Sequence, residues 1–217
     1  MQRLSSLFGR LAPLLGFRGS RQYWEMRYKL GGHSGEGSRG VNAQYKAGVL
    51  NEFLRTHAPS SVIEFGCGDG YQLSLLDLPP YVGVDVSPTI VERCRAMYAG
   101  DPTKRFLLLD DYRDESADLS MSIDVIFHLV EDSVYDAYHD RLFAAGRRFV
   151  IVYSTSGDMV ATGTSHVRHR DVAGDIARRF PGFARMTQDE AGVPPPVRFD
   201  RGLPTVFLMY ERRPATT

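Results

Sequence analysis

The chain has 217 residues, of which 43% are hydrophobic and 24% charged, with 21 glycines and 12 prolines. This composition is typical of one globular domain and excludes a disordered chain, a collagen-like repeat and a coiled coil. Basic and acidic residues each number 26, so the formal net charge is zero, which disfavours a protein that binds nucleic-acid phosphates through a basic surface. Two cysteines, Cys67 and Cys94, form no disulfide framework and no C-x-x-C zinc pair, and they favour a reducing, cytoplasmic setting.

Residues 1–40 are predicted to form an extension that precedes a main domain at 41–217. Apolar residues between Leu4 and Leu15 recur at helical spacing with arginines between them, which predicts an amphipathic basic helix interrupted by a proline. Such a helix suits a membrane surface, a lid over a substrate, or packing on its own domain or on a second subunit of a homodimer. The glycine-rich stretch 31–40 buries little apolar surface and is predicted to be part of a lid. No apolar run is long enough for a transmembrane segment.

Strand-like and helix-like segments alternate after residue 41, which predicts a parallel sheet covered by helices on both faces. The predicted helices cover residues 42–57, 71–76, 88–98, 133–143 and 172–180. The predicted strands cover residues 61–65, 81–86, 106–109, 123–127, 148–153 and 205–210.

A glycine turn follows the first predicted strand, over residues 62–70, which read V-I-E-F-G-C-G-D-G. Glycines let the backbone bend sharply and let a ligand approach it closely, and a turn at this place in an open α/β sheet forms a nucleotide-binding crevice. A dinucleotide fingerprint would need a third glycine at position 71, where the chain has Tyr71. The pattern is therefore E-x-G-x-G-x-G, which disfavours a nicotinamide reductase, and no P-loop lysine follows it.

Acidic residues follow the next two predicted strands. Asp85 ends one strand, 19 residues beyond Gly66, and an acid there accepts hydrogen bonds from both ribose hydroxyls of an adenosine ligand. Asp110, followed by Asp111, ends the next strand, where it is able to accept the adenine amino proton. Together with Glu64, these acids would surround an adenosine that carries a cationic, amino-acid-like tail.

The glycine turn, Asp85, Asp110 and the stretch D-V-I-F-H at 124–128 resemble, in order and spacing, the class I S-adenosylmethionine-dependent methyltransferases over roughly residues 60–155. The resemblance implies a Rossmann-like α/β fold, which is a seven-stranded, mostly parallel sheet with its last strand antiparallel, here with an N-terminal helical lid extension. It also implies S-adenosyl-L-methionine as cofactor and methyl transfer as activity. The cofactor-binding residues that it implies are Glu64, Gly66, Cys67, Gly68, Gly70, Asp85, Val86, Asp110, Asp111 and His128.

Each of these residues has a role that the resemblance implies. The three glycines line the methionine side of the cofactor, and Glu64 steadies the loop or the amino group. Asp85 holds the ribose, and Asp110 or Asp111 holds the adenine end. His128 then forms part of the cofactor wall.

Three further segments emerge where the parallel strands end, which is where ligands of open α/β sheets bind. They cover residues 23–38, 128–132 and 154–170. The first of them is predicted to be a substrate-contacting lid, because aromatic rings suit the apolar faces of sugars and the cation of the cofactor. The predicted lid and substrate residues are Tyr23, Trp24, Tyr28, His33 and Ser34. A plain linker between the N-terminal helix and the core is the alternative.

A base is required if the methyl acceptor is a hydroxyl, because the hydroxyl must lose its proton. His128 is the first candidate, with Glu131 and Asp132 nearby to orient it, and the alternative is a cofactor-contacting residue. His166 and His169 are rival bases on the loop after the fifth strand, and the alternative there is a solvated basic loop. Asp132 also suits the role of a helix cap.

The same region contains enough oxygen and imidazole groups for a divalent cation. Carboxylates favour magnesium over zinc, so Mg²⁺ is a candidate cofactor with Glu131 and Asp132 as ligands. The neighbouring donors are His128, Asp136, Asp110 and Asp111.

The segments at 23–38, 128–132 and 166–170 also resemble a group of small bacterial methyltransferases in polysaccharide and glycolipid pathways, including those for methylated mannose or glucose polysaccharides. This resemblance implies a sugar or oligosaccharide hydroxyl as the acceptor. The alternatives are an O- or N-methyltransferase of a small secondary metabolite and a non-catalytic S-adenosylmethionine-binding regulator. The complete motif set and the available bases disfavour the regulator.

Overall fold

The computed structural model describes residues 18–156, 165–192 and 205–214. Its helices are α1 (Ser20–Lys29), α2 (Gly40–His57), α3 (Pro88–Met97), α4 (Asp132–Ala145), α5 (Val172–Arg179) and α6 (Gln188–Ala191). Its strands are β1 (Val62–Phe65), β2 (Tyr81–Asp85), β3 (Lys104–Leu108), β4 (Ala117–Ile123), β5 (Gly146–Thr155), β6 (Phe183–Arg185) and β7 (Thr205–Arg212). The predicted helix before residue 18 and the triple proline at 194–196 lie outside the described residues.

The seven strands form one sheet in the order β3-β2-β1-β4-β5-β7-β6. Strands β1 to β5 pair in parallel, whereas β7 runs antiparallel to both β5 and β6. The predicted Rossmann-like fold with an antiparallel last strand is therefore confirmed. The carboxyl ends of β1, β2 and β4 meet in the middle of one sheet edge, because β1 has β2 and β4 as its neighbours.

Two apolar layers bury the sheet on both faces. On one face, Phe53 of α2 and Cys94 of α3 pack against residues such as Met121 of β4. On the other face, Leu142 of α4 and Ile176 of α5 pack against Val150 and its neighbours. Because both faces are covered, ligands reach the sheet only at its strand ends.

The fourth strand was predicted at 123–127, and that prediction is wrong. Strand β4 covers Ala117–Ile123, and the predicted segment instead contains a 3-10 turn at Ile126–His128. The side chains of Leu119 and Met121 enter one apolar layer, but the alternate positions are Ser120 and Ser122, both fully buried. Because buried serines interrupt the apolar run on which the prediction depends, the predicted strand lies too far toward the C-terminus.

The helix predicted at 71–76 is also wrong, since only one 3-10 turn forms there, at Leu73–Leu75. The side chain of Asn51 holds the chain in an extended path at this point. It donates to the Leu75 carbonyl at 3.0 Å and accepts from the Asp77 amide at 3.0 Å. The prolines at 79–80 then lead directly into β2.

Helix α3 begins as predicted, because the Ser87 hydroxyl accepts a hydrogen bond from the Ile90 amide and Pro88 occupies the first turn. Strand β6 and helix α6 were not predicted, because both are very short. Within the described residues, no helix is long and apolar enough to cross a bilayer.

Candidate active site

One cavity of about 700 Å³ lies at the carboxyl ends of β1, β2 and β4. Helix α1 and the following segment form its roof, and the chain after β4 and the face of α4 form one wall. Pockets of this size hold a drug-sized ligand. The residues predicted from sequence that line it are Trp24, Tyr28, Ser34, Glu64, Gly66, Cys67, Gly68, Asp85, Val86, His128 and Glu131.

The glycine turn has the left-handed backbone that only glycine adopts without strain. The φ angles of Gly66 and Gly68 are +77° and +58°. A Cβ atom on Gly66 would lie 2.5 Å from Cγ2 of Val125, and one on Gly68 would lie 2.5 Å from Oγ of Ser34. The turn therefore makes close contact with the chain after β4 on one side and with the roof on the other.

Gly70 has a different role from the other two glycines. Its φ angle is +74°, but a Cβ atom there would lie 3.3 Å from Tyr98 and would approach α3 rather than the cavity. The Tyr98 hydroxyl donates to the Gly70 carbonyl at 3.0 Å. Gly70 is not among the residues that line the cavity, and its contacts serve the packing of the turn on α3.

Asp85 lies at the end of β2 and is buried beside the glycine turn. Its Oδ2 atom accepts a hydrogen bond from the Gly68 amide, and its Oδ1 atom accepts one from the Ser87 amide, each at 3.0 Å. Burial raises the pKa of Asp85 to about 6, although these backbone hydrogen bonds favour the ionised form. Asp85 lines the cavity.

Glu64 belongs to a buried group of charges on the cavity wall. Its Oε2 atom accepts a 2.6 Å hydrogen bond from the Tyr81 hydroxyl. Burial raises the pKa of Glu64 to about 7, against the effects of that hydrogen bond and of the nearby Lys46 charge. Lys46 is itself fully buried and forms an ion pair with Asp124, which lines the cavity. Lys46 pairs directly with Asp124 and acts on Glu64 only through its charge, so the wall favours an additional cation beside Glu64.

Glu131 clamps the start of α1. Its Oε1 atom accepts from the Ser20 amide at 2.8 Å, and its Oε2 atom accepts from the Ser20 hydroxyl. Burial opposes ionisation of Glu131, but the hydrogen bonds from Ser20 outweigh it and lower the pKa. Glu131 thus satisfies the free amide at this helix N-terminus, where a negative charge is favourable.

Two more contacts hold α1 over the cavity. Glu25 accepts hydrogen bonds from the Ser87 and Thr89 hydroxyls at the start of α3. Arg21 forms a two-pronged ion pair with Asp110. Asp110 is exposed and does not line the cavity, and the hydrogen bond from Arg21 lowers its pKa. The exposed Asp111 lies outside the lining as well.

The glycine-rich stretch after α1 packs on the glycine turn. The Ser34 amide donates to Asp69 at 2.9 Å, and the Asp69 amide donates to the Ser34 hydroxyl at 3.0 Å. The Tyr28 hydroxyl lies 3.1 Å from that of Ser34, and Arg39 forms an ion pair with Asp69. His33 does not line the cavity, and its Nδ1 atom accepts from the Gly35 amide.

His128 lies on the cavity wall beneath the indole of Trp24, at 4.9 Å between ring centres. Its Nδ1 atom lies 3.0 Å from the backbone oxygen of His166. Burial lowers the pKa of His128 to about 4, so the ring is neutral near pH 7.

Three other predicted catalytic residues, His166, His169 and Asp132, do not line the cavity. The His166 ring stacks on Tyr23, which also lies outside the lining. His169 is hydrogen-bonded through Nδ1 to the Thr155 hydroxyl at 2.7 Å. Asp132 is exposed and forms ion pairs with Arg168 and Arg170.

The prediction of a Mg²⁺ site has no support in this geometry. Across residues 18–156, 165–192 and 205–214, no three histidine, cysteine or acidic side chains come together as metal ligands. Glu131 is hydrogen-bonded to Ser20, and Asp132 is paired with arginines. The acids are adjacent in the sequence but hold different parts of the fold.

Sequence reasoning missed several residues of this site. Glu25, Lys46, Asp69 and Tyr138 were not singled out, yet they line the cavity or pair with a residue that does. The one sequence signal was the spacing of Glu25 and Lys29, which are an i, i+4 pair on α1. The others became visible only when distant segments packed together.

Residues 63–150, less than half of the chain, match the family model of a methyltransferase domain. This segment of the chain is therefore similar to methyltransferase domains. The match supports the predicted methyltransferase family over these residues and does not support its sugar O-methyltransferase branch. No curated protein matches the chain.

Solved structures share the fold of the methyltransferase domain at low identity. Magnesium protoporphyrin IX methyltransferase from Synechocystis PCC 6803 has a TM-score of 0.60 at 16% identity, covering 88% of this chain and 97% of its own. The methyltransferase domain of bacterial CtHen1 has a TM-score of 0.58 at 22% identity, covering 79% and 98%. A DhpI complex has a TM-score of 0.57 at 16% identity, covering 92% and 100%. These likenesses support the fold and not a substrate.

Proposed function

We propose that this protein transfers a methyl group from S-adenosylmethionine to a hydroxyl of a sugar or oligosaccharide, in the cytoplasm. The observation that carries the proposal is one cavity in which Asp85 and the glycine turn lie together with His128 and Trp24. The groups proposed to bind the cofactor and the proposed base thus line one cavity, as methyl transfer to a hydroxyl requires.

The residues present fit the cofactor. The turn at Gly66 and Gly68 gives close access to the backbone, and the buried Asp85 carboxylate faces a position for ribose hydroxyls. The wall formed by Glu64 and Asp124 carries two carboxyl groups for the single ammonium of Lys46, which suits a cationic ligand. S-adenosylmethionine, when bound, supplies a methyl group on a sulfonium. Two of the solved structures with this fold are described as bound to S-adenosylhomocysteine or S-adenosylmethionine.

His128 is the proposed proton acceptor. Its Nδ1 atom faces a carbonyl oxygen and therefore carries the proton, which leaves the lone pair on Nε2. Within the described residues Nε2 makes no hydrogen bond, and the ring lines the cavity. His128 takes the hydroxyl proton and becomes an imidazolium as the sulfonium charge is lost, so the net charge of the site stays constant. This balance lets a buried base of low pKa work without adding a charge to the interior.

Aromatic rings provide the support for a sugar acceptor. Trp24 and Tyr28 line the cavity with their ring centres 5.7 Å apart, and Trp24 also meets His128 edge-on. Aromatic faces pack on the C–H faces of sugar rings while polar groups hold the hydroxyls. The Ser34 and Ser38 side chains at the same cavity offer such groups.

A turnover assay with labelled S-adenosylmethionine and a panel of oligosaccharides, small hydroxylated metabolites and amines tests the proposal, with and without EDTA. We expect transfer to a sugar hydroxyl that EDTA does not reduce, and loss of turnover by about 10²–10⁴-fold in His128→Ala. A neutral amine attacks without a base, so transfer to an amine that His128→Ala leaves intact would favour the metabolite N-methyltransferase. Cofactor binding without turnover on any acceptor would favour the regulator.

A further inference from the structure

Three rings from three separate segments lie nearly parallel beside the cavity. Tyr23 comes from α1, His166 from the chain after β5 and His128 from the chain after β4, and we call them the ring ladder. The Tyr23 and His166 ring centres are 4.4 Å apart with 13° between their planes. Those of His166 and His128 are 5.7 Å apart with 11° between their planes. Trp24 meets His128 edge-on, at 78°.

One hydrogen bond decides which nitrogen of His128 carries the proton. The backbone oxygen of His166 lies 3.0 Å from Nδ1, and a carbonyl only accepts, so Nδ1 must donate. The segment that contains His166 is itself held in place, since the Arg168 amide donates to the Phe127 carbonyl at 2.8 Å. The His166 backbone therefore selects the tautomer, while its ring sets the plane in which the His128 ring lies.

We propose that Tyr23 and His166 are positioning residues, which hold His128 as the Nδ1–H tautomer with Nε2 toward the methyl acceptor. The inference rests on the proposed function, in which His128 accepts the proton. Neither positioning residue lines the cavity, so both act through His128. A nucleophile and its base need a third group that orients the base, and here two rings and a carbonyl fill that role.

The ladder also connects the base to the roof of the cavity. Tyr23 lies on α1, whose N-terminus is clamped by Glu131 and whose middle is held by Glu25. Undocking α1 removes one end of the ladder and the edge contact of Trp24 together. His128 is therefore ordered for proton transfer only while α1 covers the cavity.

The positive charges that face His128 all lower its pKa. Burial has the largest effect on its pKa and lowers it, while the hydrogen bond to the His166 backbone opposes that change. Arg27 from α1, and His166 and His169 from the chain after β5, lower it further when they are charged. Burial outweighs the hydrogen bond and leaves the ring neutral near pH 7, as a proton acceptor must be.

Side-chain ¹H–¹⁵N NMR of the 217-residue chain tests the tautomer directly. We expect the Nδ1–H pattern for His128, with its signals assigned by their loss in His128→Ala. Tyr23→Ala and His166→Ala keep the carbonyl acceptor but release the plane of the His128 ring, so Nδ1 turns away from that acceptor part of the time and we expect a mixture of tautomers. An Nε2–H pattern in the unmodified protein, or an unchanged pattern in both variants, would overturn the proposal.

Turnover tests whether the positioning matters for chemistry. We expect Tyr23→Ala and His166→Ala to lower kcat roughly ten- to hundredfold, with little change in KM or in cofactor affinity measured by calorimetry. Tyr23→Phe and His166→Phe keep a stacked ring and should retain most of the turnover. If His166→Phe loses as much as His166→Ala, the His166 imidazole does chemistry itself and the proposal is wrong.

A double-mutant cycle separates this inference from the proposed function. In a His128→Ala background, adding Tyr23→Ala should cause no further loss of turnover, because the group being positioned is gone. Fully additive losses would contradict the ladder. Full turnover of His128→Ala would contradict the proposed proton acceptor, and the NMR spectra would still decide whether Tyr23 and His166 hold the ring.

Discussion

The backbone amide of Gly68 donates a 3.0 Å hydrogen bond to Oδ2 of Asp85, which joins the glycine turn after β1 to the acid at the end of β2. The other carboxylate oxygen accepts from the Ser87 amide, which leads into α3. Asp85 therefore holds the turn in shape as well as facing the cavity. Its replacement should disturb the turn and the ligand contacts together.

We expect Asp85→Asn and Asp85→Ala to weaken S-adenosylmethionine binding roughly ten- to hundredfold, because unpaired buried groups cost about 1–3 kcal/mol. Isothermal titration calorimetry measures the change. Asp77→Asn is the matched control, because Asp77 is exposed and its hydrogen bond to Asn51 uses the backbone amide. Unchanged affinity in both Asp85 variants would remove Asp85 from the cofactor site.

Two glycine-to-alanine changes should have opposite effects on stability. Gly68 has a φ of +58° and no room for a Cβ, so Gly68→Ala should destabilise the fold by at least about 1–2 kcal/mol from backbone strain alone. Gly48 lies in α2 with open space at its Cβ position, so Gly48→Ala should be neutral or stabilise by up to about 1 kcal/mol. Chemical denaturation measures the free energy of unfolding of both variants. Equal stability of the two variants would contradict the close contact between Ser34 and the turn.

Removing the clamp on α1 should loosen the roof of the cavity. Glu131→Ala leaves the Ser20 amide and hydroxyl without their acceptor, which costs about 1 kcal/mol, or roughly fivefold in local opening. Hydrogen exchange of residues 20–29 should speed up accordingly, and cofactor should slow it again. The control is Glu52→Ala, which removes an exposed ion pair on α2. Exchange that is identical in Glu131→Ala and the control would show that Glu131 does not hold the helix.

The pH dependence of turnover should follow the low pKa of His128. The ring must be neutral to accept a proton, and burial lowers its pKa to about 4. Activity should therefore persist well below the ordinary histidine pKa of about 6.5 and fall only as the pH approaches 4. Measuring kcat against pH at saturating substrate gives the pH at which activity falls. A midpoint near 6.5 would mean that His128 is solvated or that another histidine is the base.

Cofactor binding should release a proton near neutral pH. Burial raises the pKa of Glu64 to about 7, and a cation beside it favours the ionised form and lowers that pKa. Affinity should therefore rise with pH through about 7 and level off above it, where Glu64 is already ionised. Calorimetry at pH 7 in two buffers of different ionisation enthalpy measures the proton, and Glu64→Gln is the matched control. A binding enthalpy that is the same in both buffers would contradict this role.

The glycine turn and Asp85 were predictable from the sequence because their signals are local. Positive φ angles demand glycine at Gly66 and Gly68, and parallel strands that alternate with helices bring their carboxyl ends to one edge. The start of α3 was predictable from Ser87 and Pro88 because a helix cap is also a local contact, made within one helical turn. These features depend on neighbours in the chain.

The tertiary structure alone decided the rest, because it depends on contacts between residues far apart in the chain. Ser122 is buried in β4, where its hydroxyl donates to the Tyr138 hydroxyl of α4 at 2.6 Å while Tyr138 donates to the Phe65 carbonyl, and no apolar pattern in the sequence predicts that pair. Glu131, a candidate base partner in the sequence, holds Ser20, which is 111 residues away. Whether a carboxylate acts on a ligand, a metal or a helix end is set by the group that packing brings within hydrogen-bond distance, and the spacing of acids along the chain does not contain that information.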